Sequence, residues 1–233
     1  MQRTGISERV IFMNITIYGD SILKGILLEN GKYRINREWE ERFVKSSGTQ
    51  IKNRSRFGCT IEKALGFIRK DSMKPCEEGE YALLEFGGND CDYHWAEIAS
   101  APEAAHDCNT PPEQFVRQYR EAVRLVRESG RVPILTTLPP IHSERYLRFI
   151  CRDGLSRENI VSWLGDVEAI SRWQEKYSAM VEEIAKAEGV RLIDLRGAFL
   201  RDSRALEALL CADGIHPSRE GQGLIYDTLL ASA

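Results

Sequence analysis

Four short apolar runs recur along the chain at wide intervals: VIFMNITIY (10–18), EYALLEF (80–86), RVPILTTL (131–138) and VRLIDL (190–195). Their apolar character is nearly continuous rather than alternating, so each reads as a strand buried on both faces. A more polar fifth run, TQIKNRS (49–55), has the length of a short strand. Between the runs lies helical punctuation. TIEKALGFIRK (60–70) opens on Thr60 as a candidate cap and sets Ile61, Leu65 and Ile68 on one face. PPEQFVRQYREAVRLVRESG (111–130) begins with prolines, stops at Gly130 and spaces Phe115, Tyr119, Val123 and Val126 helically. AISRWQEKYSAMVEEIAKAEG (169–189) repeats the pattern with Trp173, Tyr177, Met180 and Ile184, and SREGQGLIYDTLLAS (218–232) predicts a C-terminal helix. Strands that alternate with helices predict an α/β chain whose parallel sheet is covered on both sides.

Composition narrows the function classes. With 233 residues, 42% of them hydrophobic and 29% charged, the chain can bury a full core as one domain over 1–233. The net charge of -3, with no basic stripe, disfavours nucleic acid as a partner. No apolar run approaches the ~20 residues of a membrane span. The start, MQRTGISERVIFMN, lacks the apolar core and small-residue cleavage site of a signal peptide, which predicts a cytoplasmic protein. Residues 1–12 read as a candidate extension outside the fold. Six scattered cysteines show neither a C-x-x-C pair nor a zinc-spaced Cys/His cluster, and read as reduced thiols. Two stretches exceed a minimal α/β unit. Residues 91–110 form a long irregular connection after a strand, and long connections of this kind are often functional. Residues 141–168 predict one or two extra helices, a candidate lid over a pocket or a surface for a homo-oligomer.

Ligands of parallel sheets bind at the carboxyl ends of the strands. Four segments fall there: GDS (19–21), RFGCT (56–60), GGND (87–90) and DGIHPS (213–218). Ser21, at a predicted strand-to-helix turn, is a candidate acyl-transfer nucleophile; taken alone, GDS reads first as a helix cap through Ser21 or Asp20. Asp213 and His216 lie three residues apart, so the carboxylate can fix one imidazole nitrogen and leave the other as a general base. The alternative is a surface histidine beside an Asp-Gly turn. Gly87 and Gly88 permit a sharp backbone turn, the Asn89 amide can donate to an oxyanion without titrating, and Gly58 can present its backbone N–H. Each of these also fits an ordinary turn. Asp20, Asp90, Asp213 and His216 could instead hold a metal, but no second histidine stands at ligand spacing, and the triad is preferred. His94 and His106 fall in the irregular connection, with solvent exposure expected, and His142 follows a strand end within reach of a pocket. Tyr93, Trp95 and Tyr146 are candidate pocket walls, although such aromatics also serve as core packing.

In order, YGDSI, RFGCT, GGND and DGIHPS resemble the blocks of the SGNH hydrolase superfamily, the GDSL-like lipases and esterases, over nearly the whole chain. The resemblance implies Ser21 as nucleophile, Asp213 and His216 as its triad partners, and an oxyanion hole of the Ser21 and Gly58 N–H groups with the Asn89 side chain; Asp20 and Gly88 support it. It implies a three-layer α/β/α sandwich around a five-stranded parallel sheet of flavodoxin-like order. Ile22 replaces the family's Leu, an apolar exchange that only repacks the core. The expected activity is carboxylic ester hydrolysis without cofactor or metal, on a small-molecule ester, with a short-acyl or acetylated-sugar substrate foremost. The alternatives are a lysophospholipase or thioesterase, or a non-catalytic carbohydrate or acyl binder of the same fold.

Overall fold

The computed structural model describes residues 14–74, 76 and 79–232. The candidate N-terminal extension, and residues 10–13 of the first predicted strand, lie outside this range. Seven strands form among the described residues: β1 (Asn14–Gly19), β2 (Ile26–Glu29), β3 (Lys32–Ile35), β4 (Gln50–Asn53), β5 (Glu80–Glu85), β6 (Val132–Thr136) and β7 (Arg191–Ile193). Five of them make one parallel sheet in the order β4-β1-β5-β6-β7, the flavodoxin-like order, while β2 and β3 pair as a separate antiparallel hairpin.

Alternate residues of each central strand feed opposite faces. Ile15, Ile17, Leu83, Ile134 and Ile193 pack under helices Glu38–Ser47, Leu195–Arg201 and Arg219–Ala231. Tyr18, Ala82, Leu84 and Leu135 pack under helices Ile61–Ser72, Pro112–Glu128 and Ala169–Glu188. The polar run at 49–55 is explained by position: β4 is an edge strand paired only with β1, and its residues alternate exposed and half-buried.

The helix ends follow the predicted chemistry. Thr60 caps its helix through Oγ1, which accepts from the Lys63 N–H, and Ser218 caps the last helix by accepting from the Gly221 N–H. The stretch 141–168 supplies helices Ser143–Ile150 and Arg157–Leu164, and the connection 91–110 holds a short helix, Trp95–Ser100. These three pack into a third apolar cluster that includes Trp95, Ile98, Tyr146, Leu147, Ile160 and Ile170. The hairpin and helix Glu38–Ser47 have no counterpart among the predicted elements. Among the described residues, no helix is long and apolar enough to cross a membrane.

Candidate active site

Ser21 is not followed by a helix, contrary to the predicted strand-to-helix turn. Residues 21–25 make one tight turn, with the Lys24 N–H on the Asp20 carbonyl and the Ile26 N–H on the Ser21 carbonyl. The turn stops at Gly25, whose φ of +76° carries the chain into β2; an added Cβ there would collide with the Asn36 carbonyl. The capping chemistry read at GDS is nonetheless present: Asp20 Oδ1 accepts from the Ile22 N–H at 2.8 Å. Asp20 thereby holds the turn that presents Ser21.

His216 and Asp213 meet Ser21 from the other end of the chain. His216 Nε2 lies 3.0 Å from Ser21 Oγ, and His216 Nδ1 lies 2.7 Å from Asp213 Oδ2. Ser21 is 7% exposed, His216 3% and Asp213 0%. The loop that carries the pair is fixed by its own backbone: the Cys211 N–H donates to the His216 carbonyl, and the His142 N–H donates to the Gly214 carbonyl. Burial works against the Asp213 charge, but the hydrogen bond and charge of His216, with the backbone N–H groups of His216 and Ile215, outweigh it and hold the carboxyl below its ordinary range. The hairpin adds a partner that sequence reasoning missed. The Tyr33 hydroxyl donates to Asp213 Oδ2 at 3.3 Å, and its ring stands edge-on to His216 at 5.1 Å.

Asn89 is tied to the Ser21 turn through Asp20. Its Nδ2 donates one N–H to Asp20 Oδ2 at 2.8 Å, which leaves the second N–H of the amide for a ligand. Asp20 therefore braces both the Ser21 turn and the Asn89 side chain. Behind it lies a second missed residue, Glu85. The parallel register pairs Gly19 with Glu85, so the strand ends bring Asp20 and Glu85 together as a fully buried, hydrogen-bonded carboxyl pair. Burial raises both; the neighbouring Asp20 charge raises Glu85 further, well above the carboxylate range. Glu85 is thus the member that keeps the proton. Nearby Asp90 accepts from the Ile61 N–H, yet burial pushes it up to about 7.

A cavity of about 550 Å³ opens on this constellation. Asp20, Ser21, Gly58, Gly88, Asn89 and His216 all line it, as do the predicted wall residues Tyr93, Trp95 and Tyr146. His142 does not. It caps helix Ser143–Ile150 instead, with Nδ1 accepting from the Arg145 N–H and Nε2 3.3 Å from Glu207 Oε1, so its ring is spent on the surface side of the loop. His94 is exposed as expected; His106 is half-buried, its Nε2 2.9 Å from the Ala101 carbonyl and its ring edge-on to Trp163. Among the described residues, no group of three or more His, Cys, Asp or Glu is arranged to hold a metal.

The model of the GDSL-like lipase/acylhydrolase family matches residues 17–224. The chain belongs to this family. It is an SGNH ester hydrolase, and solved structures share its fold. A lipase/acylhydrolase from Enterococcus faecalis is similar at 21% identity, 94% coverage of each chain and a TM-score of 0.62. A lipolytic G-D-S-L protein from Veillonella parvula follows at 15% identity, covering 94% of this chain and 97% of its own, with a TM-score of 0.65. An acetyl xylan esterase from Geobacillus stearothermophilus has 16% identity, 96% coverage of each chain and a TM-score of 0.66. No curated protein sequence matches the chain. In this SGNH hydrolase, two residues outside the family blocks join the site: Tyr33 comes from the hairpin, and Trp163 from the stretch 141–168.

Proposed function

We propose that the protein hydrolyses carboxylic esters through an acyl-enzyme on Ser21. The observation that carries this reading is the buried relay from Ser21 Oγ to His216 Nε2 and from Nδ1 to Asp213, at 3.0 and 2.7 Å. As Ser21 Oγ attacks the acyl carbon, its proton passes to His216 Nε2, and Asp213 stabilises the imidazolium. The negative charge that develops on the carbonyl oxygen is held by the free N–H of Asn89 and by the backbone N–H groups of Ser21 and Gly58, each donor of this kind being worth ~3–4 kcal/mol. The acyl–oxygen bond then breaks, and His216 returns the proton to the departing alcohol. Water attacks the acyl-enzyme by the same route, giving the carboxylic acid and restoring Ser21.

The substrate is a small-molecule ester. The acetylated-sugar reading has an acetyl xylan esterase among the relatives that share the fold, at 16% identity. The apolar wall of the cavity favours a larger acyl group. We read 141–168 as the cover of that cavity, since Ile141, Tyr146, Trp163 and Leu164 face it. The six unpaired cysteines support a reducing, cytoplasmic setting. A fluorophosphonate probe with peptide mapping tests the mechanism. Labelling at Ser21, with loss of p-nitrophenyl acetate hydrolysis in Ser21→Ala, is expected. An unlabelled Ser21, or a Ser21→Ala variant as fast as wild type, would leave the non-catalytic binder as the better account.

A further inference from the structure

Three of the four tryptophans, Trp95, Trp163 and Trp173, line the cavity beside Ser21, whereas Trp39 packs elsewhere against Gly223. Tyr93 stands at the centre of the group, 4.9 Å from Trp163, 5.6 Å from Trp95 and 6.0 Å from Trp173. Three polar groups of this wall are spent inside it. The Trp95 Nε1–H and the Tyr146 hydroxyl both donate to Asp92 Oδ1 at 2.8 Å, and the Trp173 Nε1–H donates to the Cys91 carbonyl at 2.9 Å. Gln174 is likewise occupied, by the Pro139 carbonyl and Arg196. What faces the cavity is largely ring surface, completed by Leu138, Ile141, Leu164, Ile170 and Ile215; the two cations on its lining are held elsewhere, Arg172 by Asp166 and Lys176 over the Trp173 ring. A sugar there would find few partners for its several hydroxyls, a loss of ~1–3 kcal/mol for each one buried unpaired.

We infer that this aromatic chamber receives the acyl group of the substrate and that the group is apolar and of octanoyl to decanoyl size, not acetyl. This rests on the ester-hydrolase reading. Orientation follows from the proton path: His216 protonates the leaving alcohol, so the alcohol lies on its side, where the Tyr33 and Phe57 rings stand 5.1 and 5.9 Å from the imidazole. The acyl group then takes the opposite side, walled by the residues that follow Asn89 and by the stretch 141–168. Size follows from volume. At roughly 30 Å³ for each water-sized group, 550 Å³ holds on the order of eighteen heavy atoms, a medium acyl chain with the start of its alcohol. An acetyl group would leave most of that space unfilled.

The test is the specificity constant for p-nitrophenyl acetate, butyrate, hexanoate, octanoate and decanoate, together with tryptophan fluorescence during titration with sodium octanoate or sodium acetate. Each fully buried methylene is worth about fourfold in kcat/KM, and octanoyl carries six more carbons than acetyl; burial of only half of them gives about sixtyfold, the least by which octanoyl is expected to exceed acetyl. Octanoate, but not acetate, is expected to quench the tryptophans of wild type and Ser21→Ala alike. Ala169→Trp, which adds a ring at the cavity wall, is expected to cut the octanoyl-to-acetyl ratio by about tenfold. Equal or better acetyl turnover, an unchanged ratio in Ala169→Trp, or the absence of octanoate-specific quenching overturns the inference. Octanoate quenching in a protein that cleaves no ester and resists the fluorophosphonate overturns the hydrolase reading instead, leaving an apolar-chain binding site.

Discussion

The Tyr33 hydroxyl and the His216 imidazole share one acceptor, Asp213 Oδ2, at 3.3 and 2.7 Å. Tyr33 reaches it from β3, 180 residues away in sequence. Although Tyr33 is exposed as a residue, desolvation of its hydroxyl end and the Asp213 charge both keep the phenol protonated, well above its ordinary range, so it acts only as a donor. That bond draws negative charge away from the oxygen that steadies the imidazolium. Tyr33→Phe should strengthen the Asp213–His216 pairing and move the acidic limb of the kcat/KM profile to higher pH by a few tenths of a unit. A full pH–rate profile checks the direction; a shift the other way contradicts the shared-acceptor role.

Asp213→Asn keeps the shape of the loop but favours the wrong imidazole tautomer. A fall of about 10⁴ in kcat, with little change in KM, is expected from steady-state kinetics. Retention of more than a tenth of the activity would show that His216 needs no anionic partner.

Asn89→Ala removes both the oxyanion donor and the donor to Asp20. A loss of about 10²–10³ in kcat is expected, with thermal melting changed far less than activity. A comparable loss of folded protein would instead assign Asn89 a structural part.

The buried acids make stability depend on pH. Asp90, pushed up to about 7, stays protonated in the folded chain where the unfolded chain has already ionised. Its contribution is complete below about pH 4 and is lost as pH rises through about 7, amounting to at most about 4 kcal/mol. Glu85 and Asp20 act in the same direction. Asp213, held low, contributes above about pH 4 and loses its contribution as pH falls below that. Melting temperatures of wild type should therefore decline between pH 5 and 8, and Asp90→Asn should flatten the decline. An identical slope in the variant would contradict the assignment.

Gly214 sits at φ +75°, and a Cβ there would meet the His142 carbonyl at 2.7 Å and the Tyr146 N at 2.8 Å. Gly214→Ala should cost about 2 kcal/mol or more and lower kcat by displacing the His216 loop. Denaturant melts paired with kinetics would expose either effect.

The sheet and its helices were legible from short-range chemistry. Continuous apolar runs, the Thr60 and Ser218 caps, the prolines at 111–112 and the glycines at helix ends each act within a few residues, so their meaning survives in the bare chain. The pairing of Asp213 with His216 is of this kind, since three residues in one turn suffice to form it. The hairpin β2–β3 was missed because ILLE is only four residues long, with Ile26 and Leu27 buried in succession, and β3 is exposed throughout, which leaves no alternation to read. His142 was misplaced for the complementary reason: its side chain turns to its own helix end and to Glu207, a choice made by the loop rather than by the strand end before it.

The alternation of strands and helices, and the four segments that carry Ser21, Gly58, Asn89 and the Asp213–His216 pair, are written in local residue patterns. What surrounds them arises from the packed chain. "IYGDSILKG" does not say whether Ser21 heads a helix; Gly25 and the hairpin settle that it heads a tight turn. The pairing of Glu85 with Asp20 follows from the register of two parallel strands, and the Trp95–Tyr93–Trp163–Trp173 chamber from packing among three separated segments. Such contacts depend on which surfaces burial brings together, and no local spacing encodes that.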